Sequence, residues 1–328
     1  MSEASKRLLE GDPRTLSRLI TQLERGDSQV AKVLEEVHPH TGRAYCLGVT
    51  GPLGVGKSTL VDRLAELLRG EGDSVGIIAV DPTSPFSGGA LLGDRIRMQR
   101  HYLDPAVFIR SMATRGAHGG LSRIIKGAVR LLDASGKDYI LVETVGVGQT
   151  ELDIMDVADT VMVVLVPEAG DAVQTLKAGL TEIADIFVVN KVDRPGAADL
   201  ATALQGMLSL VRDTGAWVPP ILTTQAHTGE GVQQLRDAVA QHRHWLEERS
   251  LLEQRRRQRR RGEFLETVQE ALAARLQEAV QSAAGGGDLS TLLEQVEQGK
   301  VEPYSAALRL LQDQELLKQW VSSPFWRG

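Results

Sequence analysis

Seven short apolar segments recur along the chain, and patterns typical of helices separate most of them. Each segment is rich in aliphatic or β-branched residues, as expected of strands that are buried on both faces. The segments predict strands over residues 44–50, 74–80, 107–110, 139–144, 160–166, 186–189 and 219–223. Between them, apolar residues at steps of three and four predict helices, for example over 59–68 and 121–132. This alternation predicts an α/β fold with a mostly parallel central sheet flanked by helices.

Both ends of the chain are predicted to be helical. Asp12 and Pro13 are typical of a helix start, and apolar residues at helical spacing follow them and recur over residues 30–37. From residue 231 onward the chain is almost entirely helical in pattern, with a glycine run at 285–287. We therefore predict N-terminal helices over residues 1–40, an α/β domain over 41–245 and a C-terminal helical arm over 246–328.

Two features of the predicted arm, an apolar stripe and an arginine-rich run, bear on what the arm contacts. Its apolar stripe consists of Leu265, Val268, Leu272, Leu276 and Val280. An arm this thin cannot bury such a stripe alone, so we expect either a contact between two copies, which predicts a homodimer, or packing against the α/β domain. The arginine-rich run at 255–261 is consistent with a solvated helix face or with a contact to an acidic partner.

Composition narrows the class of protein. Of the 328 residues, 42% are hydrophobic, which supports a large core, and the net charge of −6 argues against a general nucleic-acid-binding protein. Cys46 is the single cysteine, which rules out an internal disulfide framework and fits a reducing compartment. The sequence predicts neither a signal peptide nor a membrane span. We expect a cytoplasmic protein that binds neither nucleic acid nor membranes.

The turn after the first predicted strand matches G-x-x-x-x-G-K-S/T, the phosphate-binding loop of P-loop nucleotidases. Its residues are Gly51, Pro52, Leu53, Gly54, Val55, Gly56, Lys57, Ser58 and Thr59. The glycines allow a tight turn whose amide groups point at phosphate oxygens, and the helix that follows directs its amino end at the same anion. Lys57 supplies a positive charge for the β- and γ-phosphates, and the Ser58 hydroxyl is a ligand for Mg²⁺.

Acidic residues follow two other predicted strands. Asp81 comes at the end of the second strand, where ligands bind in an open α/β sheet, and Asp94 lies further along the same connection. Glu143 ends the fourth strand and is followed by Gly146, in the place of the D-x-x-G element of P-loop enzymes. We predict that these three carboxylates hold Mg²⁺, directly or through water, and that the Gly146 backbone approaches the γ-phosphate.

The element N-K-x-D after the sixth predicted strand indicates which base is bound. Asp193 can accept hydrogen bonds from N1–H and N2–H₂ of guanine, whereas adenine lacks this pair of donors and would leave the carboxylate unpaired. We expect Asn190 to brace the base loop and Lys191 to lie along the ring face.

A second base-contacting loop is predicted after the last strand. It contains Gln225, Ala226 and His227, at the place where GTPases often have S-A-x. Because Gln225 replaces the usual serine, the backbone amide of Ala226 is the contact that we predict for guanine O6.

Several longer stretches resemble the methylmalonyl-CoA mutase-associated GTPases, the MeaB/ArgK group, which are relatives of the metallochaperone GTPases for nickel enzymes. The most specific are VDPTSPFSGGALLGDRIRM at 80–98, ETVGVGQTE at 143–151 and GDAVQTLKAG at 170–179. The resemblance covers nearly the whole chain. His118, Gln225 and the glycine-rich linker at 284–288 depart from the family pattern, and none of them belongs to the phosphate or Mg²⁺ chemistry.

The resemblance implies a P-loop GTPase that binds GTP or GDP with Mg²⁺. It implies coupling of GTP binding and hydrolysis to cofactor handling by an adenosylcobalamin-dependent acyl-CoA mutase, including delivery of intact cofactor and removal of damaged cofactor. It also implies a homodimer. Asp81, Asp94 and Glu143 then correspond to carboxylates of the switch segments and the Mg²⁺ site.

Hydrolysis is predicted to be slow in the isolated chain and faster with the mutase. Small signalling GTPases place a water-orienting glutamine directly after the glycine of D-x-x-G, but Gly146 is followed by Val147, which cannot orient water. Gln174 and Lys177 lie on a polar segment after a core strand. We predict that these two side chains enter the catalytic site only in the complex.

Two alternatives belong to different functional classes. A nickel-insertion GTPase needs a site of cysteine and histidine ligands, and this chain offers one cysteine in a predicted core strand and scattered histidines. A small-molecule kinase, the older label of the family, predicts transfer of the γ-phosphate to an acceptor other than water. Methylmalonyl-, isobutyryl- and hydroxyisobutyryl-CoA mutases all fit the leading interpretation.

Overall fold

The computed structural model describes residues 1–82, 99–101, 103–114, 120–144, 153–167, 181–209, 216–282 and 288–312. Its strands are β1 Tyr45–Thr50, β2 Val75–Pro82, β3 Val107–Thr114, β4 Tyr139–Glu143, β5 Thr160–Leu165, β6 Ile186–Asn190 and β7 Ile221–Thr224. All seven predicted strands are confirmed, and β3 continues to Thr114 because it pairs with β2 along its whole length.

The strands form one sheet in the order β3-β2-β4-β1-β5-β6-β7, and every pairing between them is parallel. The predicted α/β fold is therefore confirmed. On one side of β1 the chain runs out to β2 and β3 and then returns to place β4 between β2 and β1, and on the other side it continues outward through β5, β6 and β7. Ligands of such sheets bind beyond the carboxyl ends of the strands near the point where the winding reverses, which here is the end of β1.

The longer helices are α1 Glu3–Leu9, α2 Pro13–Glu24, α3 Gln29–Val37, α4 Lys57–Gly70, α5 Gly120–Ala134, α6 Ala197–Leu208, α7 Val232–Glu248, α8 Leu251–Ser282, α9 Asp288–Glu297 and α10 Pro303–Gln312. None of the helices in the described ranges is long and apolar enough to cross a membrane.

Both faces of the sheet are buried, which explains why its strands are continuous apolar runs. One face packs against α4 and α7 through residues such as Leu60, Leu64 and Leu235. The opposite face packs against α1, α2, α3 and α5 near β2 and β4, and against α6 near β5 and β6.

The amino-terminal helices share the core of this second face. The predicted helix start at Asp12 is confirmed, since its carboxylate accepts hydrogen bonds from the amides of Arg14 and Thr15. The sequence pattern missed α1, whose fully buried Leu8 belongs to the same cluster as Leu16.

The arginine-rich run has a structural role that neither sequence interpretation included. Arg256 donates to Asp159 at 2.5 Å and to the Ala44 carbonyl at 2.8 Å, and Arg259 also pairs with Asp159. Arg255 pairs with Asp185 at 3.3 Å. These carboxylates lie just before β5 and β6, so the first turns of α8 are fixed to the amino ends of the strands.

Asp159 is buried, and its ionisation depends on these arginines. Burial on its own would raise the pKa of Asp159, but the hydrogen bond and charge of Arg256, together with the charge of Arg259, hold that pKa below its ordinary value. Asp159 also accepts a hydrogen bond from the Cys46 amide at 3.0 Å. Its carboxylate therefore joins α8 to β1 as well as to β5.

The chain divides into two compact units, residues 1–259 and 260–328. In the second unit, four residues of the predicted stripe are between 37% and 48% exposed, namely Leu265, Val268, Leu272 and Leu276. The side chain of Val280 lies outside the described ones. The domain divisions after residues 40 and 245 stay predictions.

Candidate nucleotide-binding site

The loop between β1 and α4 has the backbone conformation that the glycine spacing predicts. Gly51, Gly54 and Gly56 have φ values of 136°, 78° and 95°, a region that residues with side chains rarely adopt. Space is also restricted, because a Cβ on Gly51 would overlap the Val164 carbonyl and one on Gly56 would overlap the Asn190 amide. The loop is therefore held in its turn by both conformation and packing.

Lys57 lies over this loop at the start of α4. Its ammonium group donates to the carbonyl oxygens of Gly51 at 2.7 Å and Pro52 at 2.9 Å, and the residue is only 5% exposed. Val55 is buried in the core, whereas Leu53 is exposed and Thr59 is half-buried. The positive charge is thus fixed at the amino end of a helix, where an anion is favoured.

Ser58 and Glu143 meet at the carboxyl edge of the sheet. β1 and β4 are neighbours with Val49 paired to Glu143, which brings the end of β4 beside the loop. The Ser58 hydroxyl donates to Glu143 Oε1 at 2.6 Å, and both residues are buried. A hydroxyl and a carboxylate are oxygen donors of the kind that Mg²⁺ binds, so this pair fits a magnesium ion.

The other predicted Mg²⁺ ligands are only partly described. The backbone of Asp81 lies in β2 two residues beyond Ala79, which pairs with Glu143, so Asp81 reaches the same edge of the sheet. Asp94, Gly146, Gln174 and Lys177 lie outside the described residues. Their predicted roles stay predictions.

Two threonines that the sequence analysis did not identify brace this edge. The Thr144 hydroxyl donates to the Thr50 hydroxyl at 2.9 Å, and the Thr144 amide donates to the Val49 carbonyl at 3.0 Å. The bonds tie the residue after Glu143 to the end of β1. No motif pointed to them, because a buried threonine pair has no fixed sequence spacing.

Asn190 connects three parts of the site. Its amide donates to the Val55 carbonyl at 2.8 Å, and its Oδ1 accepts from the Thr224 hydroxyl at 3.0 Å and the Ala226 amide at 3.1 Å. The end of β6 is thereby joined to the phosphate loop and to the loop after β7. Bracing by Asn190 is what the N-K-x-D element predicts.

Lys191 and Asp193 differ in how they are held. Lys191 has a φ of 59°, and its ammonium group donates to the Gly54 carbonyl at 2.7 Å. Asp193 is exposed, and no described residue pairs with its carboxylate. Its acceptor oxygens are therefore open to donors from a bound base.

The loop after β7 is closed on itself. The Gln225 amide donates to the Glu230 carbonyl at 3.0 Å, and the side chains of Gln225 and His227 approach within 3.2 Å. Ala226 is buried, and its amide already donates to Asn190. A contact of that amide with guanine O6, as predicted, requires sharing its hydrogen with Asn190.

A metal centre for nickel receives no support from the described side chains. Within that part of the chain, no group of three or more histidine, cysteine, aspartate or glutamate residues is placed to hold a metal ion. Cys46 is buried, and burial raises the pKa of its thiol far above the usual range.

Known proteins are similar to this chain over most of its length. A Pyrococcus abyssi protein named as a GTPase is 46% identical over 316 residues, covering 95% of this chain and 96% of its own. The GTPase ArgK of Escherichia coli is 35% identical over 266 residues, covering 79% and 80%. A mouse protein named methylmalonic aciduria type A homolog, mitochondrial, is 35% identical over 206 residues, covering 62% and 50%.

A solved structure and a family description agree with these similarities. The crystal structure of a LAO/AO transport system kinase superposes with a TM-score of 0.71 at 26% identity, covering 95% of this chain and 98% of that one. Residues 16–281 match the sequence model described as methylmalonyl Co-A mutase-associated GTPase MeaB. With the phosphate loop, the Ser58–Glu143 pair and the Asn190 junction all in place, this chain belongs to the MeaB family of GTPases.

Proposed function

We propose that this chain is a Mg²⁺-dependent GTP hydrolase that serves an adenosylcobalamin-dependent acyl-CoA mutase as a chaperone. GTP binding and hydrolysis would be coupled to cobalamin loading and to protection or reactivation of the mutase. The observation that carries the proposal is the family match over residues 16–281 together with a joined set of phosphate- and base-binding elements.

The chain's own residues have distinct tasks in this proposal. Lys57 neutralises phosphate charge, and the loop amides orient the phosphates for attack by water. Ser58 and Glu143 would hold Mg²⁺, with Asp81 and Asp94 as further ligands. Mg²⁺, when bound, neutralises charge that develops on the phosphate oxygens.

Recognition of the base is assigned to the N-K-x-D element at residues 190–193. The open carboxylate of Asp193 would bind N1–H and N2–H₂ of guanine, while Asn190 and Lys191 hold this element against the phosphate loop. A ligand without these donors would leave the carboxylate unpaired, so GTP and GDP are the proposed nucleotides.

The mutase is proposed to complete the catalytic site. The segments at 81–98, 143–151 and 170–179 carry the remaining candidate residues, including Gln174 and Lys177. A partner-ordered group at the γ-phosphate can contribute about 10³-fold or more in GTPases. The proposal therefore includes slow turnover by the chain alone, in a cytoplasmic setting.

A homodimer is part of the same proposal. The half-exposed stripe from Leu265 to Leu276 lies on a helix that is otherwise rich in charged residues. Pairing of two such stripes would remove their apolar surface from water. Light scattering at micromolar protein concentration measures the molar mass in solution. A molar mass equal to that of a single chain would contradict the homodimer.

Complex formation tests the chaperone proposal directly. Purified chain is mixed with each candidate mutase in the presence of GDP or a non-hydrolysable GTP analogue, and binding is measured by calorimetry. We expect binding to one mutase, with an affinity that depends on the nucleotide. Absence of binding to methylmalonyl-, isobutyryl- and hydroxyisobutyryl-CoA mutases in both states would overturn the proposal.

A kinase remains a second candidate because the similar solved structure, which the match covers to 98% of its length, is named a transport system kinase. The two functions differ in the fate of the γ-phosphate. With labelled GTP, the GTPase releases all label as inorganic phosphate, whereas a kinase transfers it to an acceptor.

A further inference from the structure

Arg63 joins the phosphate-loop helix to the base loop. It lies six residues after Lys57 on α4, about 9 Å along the helix at about 1.5 Å per residue. Its Nε lies 3.3 Å from the Ala226 carbonyl oxygen, and its Nη2 donates to the His227 carbonyl at 2.8 Å. The third nitrogen, Nη1, donates to Glu66 at 2.9 Å. All three guanidinium nitrogens therefore have defined acceptors.

The backbone of Ala226 is consequently held from both sides. Its amide donates to Asn190, which belongs to the N-K-x-D element, and its carbonyl accepts from Arg63, which belongs to α4. The other hydrogen bonds that the structure describes for this loop, such as Gln225 amide to Glu230 carbonyl, lie within the loop or join it to the start of α7. Arg63 therefore links this loop to the phosphate-loop helix by hydrogen bonds.

The three contacts made by Arg63 require the shape of a guanidinium group. Two successive carbonyl oxygens are bound by two nitrogens of one rigid, planar group, and a third nitrogen pairs with a carboxylate. A lysine ammonium is a single point that cannot reproduce this fork, although it keeps the charge. The Arg63 side chain is 21% exposed, so these bonds are partly shielded from water.

We propose that Arg63 is a positioning residue for guanine recognition. It keeps the Ala226–His227 backbone in place beside the base and so slows nucleotide dissociation, without contacting the phosphates. The inference rests on the assignment of residues 190–193 and 225–227 as the guanine site in the proposed function.

Nucleotide analogues separate this role from a general loss of structure. Inosine diphosphate keeps the O6 atom that the Ala226 loop would bind but lacks the 2-amino group assigned to Asp193. Adenosine diphosphate lacks O6. Loss of Arg63 should therefore lower the affinities for GDP and inosine diphosphate by the same factor. The weak affinity for ADP should change little.

The experiment compares wild type with Arg63→Gln, Arg63→Lys and Arg69→Gln. Arg69 is a matched control, because it lies on the same helix, is 24% exposed and pairs with Asp104. Affinities for the three diphosphates, the GDP dissociation rate and steady-state GTP hydrolysis are measured. Thermal unfolding confirms that each variant is folded, and Arg63→Lys decides the outcome if Arg63→Gln does not fold.

We expect GDP to dissociate roughly 10- to 100-fold faster from Arg63→Gln, the scale for two lost hydrogen bonds to a charged donor. Arg63→Lys should lose nearly as much, KM for GTP should rise with little change in kcat, and Arg69→Gln should match wild type. The inference is overturned if GDP binding stays within twofold of wild type, if ADP weakens as much as GDP, or if Arg69→Gln shows the same loss. Equal affinity of the wild-type protein for GDP and ADP would instead contradict the guanine site itself.

Discussion

The Ser58 hydroxyl donates a 2.6 Å hydrogen bond to Glu143 at the carboxyl edge of the sheet, where both residues are buried. The bond brings together the first turn of the phosphate-loop helix and the end of the neighbouring strand. It also brings together two oxygen donors of the kind that Mg²⁺ binds.

Replacing Glu143 should therefore impair hydrolysis more than nucleotide binding. In Glu143→Ala we expect kcat to fall by about 10- to 100-fold, because the γ-phosphate side loses its organisation, while GDP affinity changes less. Steady-state hydrolysis and calorimetric GDP binding are the measurements. Glu143→Gln, which keeps the shape and removes the charge, is the companion variant. Unchanged turnover in both variants would remove Glu143 from the site.

Asp193→Asn should change the base that is preferred. An asparagine presents a donor to the base, so the binding of GTP should weaken by about 2–4 kcal/mol. The binding of xanthosine triphosphate, which carries the complementary carbonyl, should become tighter. Competition binding with the two nucleotides measures the switch. Asp199→Asn, at an exposed position of α6, is the control and should leave both affinities unchanged. Equal binding of ATP and GTP by wild type would show that the base assignment is wrong.

The buried pair of His101 and Asp62 should make stability depend on pH. His101 Nε2 lies 3.3 Å from both Asp62 Oδ1 and the Asp62 carbonyl oxygen, and its interactions with Asp62 raise the pKa of His101, against the opposing effect of burial. Glu66, Arg100 and Asp104 are the other charged groups nearby. Protonated His101 therefore stabilises the fold below its unfolded pKa, near 6.5, and this contribution is lost as pH rises through the folded pKa.

Urea unfolding at pH 6 and pH 8.5 measures that contribution. The difference in unfolding free energy between wild type and His101→Gln should be larger at pH 6. His244→Gln serves as the control, since His244 is an exposed residue paired with Glu248. A difference between wild type and His101→Gln that is the same at both pH values would contradict the assignment.

Asp159 should be the residue whose loss most affects the attachment of α8. Asp159→Asn leaves Arg256 and Arg259 without their charged partner, so we expect a loss of about 2–4 kcal/mol in unfolding free energy. Because the folded pKa is depressed, this contribution is present above the unfolded pKa of about 4 and is lost as pH falls through the folded value.

An exposed pair on the same helix provides the comparison. Glu253→Gln breaks a surface ion pair with Arg257 and should cost about 0.5 kcal/mol or less. Chemical denaturation at pH 7 measures both variants. A loss of under 0.5 kcal/mol for Asp159→Asn at pH 7 would show that the arginines do not depend on it.

The sheet was predictable because a parallel strand buried on both faces is an uninterrupted apolar run, and each run here is short and bounded by turn residues. The phosphate loop and the N-K-x-D element were predictable for another reason. Their chemistry depends on neighbouring residues in the chain, so the spacing itself carries the signal.

The remaining contacts depend on residues that are distant in sequence. α1 is only seven residues long, and Ser2 and Ser5 at its start bind Glu36, more than thirty residues away. Arg63 meets the 226–227 backbone across 163 residues, and Arg256 meets Asp159 across 97. A charge pattern along a helix does not indicate which of these partners the fold will bring to it.

The GTP hydrolysis rate of the purified chain, measured with and without each candidate mutase, tests the central claim most directly. Lys177→Ala is included because Lys177 is proposed to act only in the complex. The account predicts slow turnover alone, acceleration of about 10³-fold or more by one adenosylcobalamin-dependent acyl-CoA mutase, and loss of that acceleration in Lys177→Ala with the basal rate unchanged. Fast hydrolysis by the isolated wild-type chain that no mutase alters would contradict it.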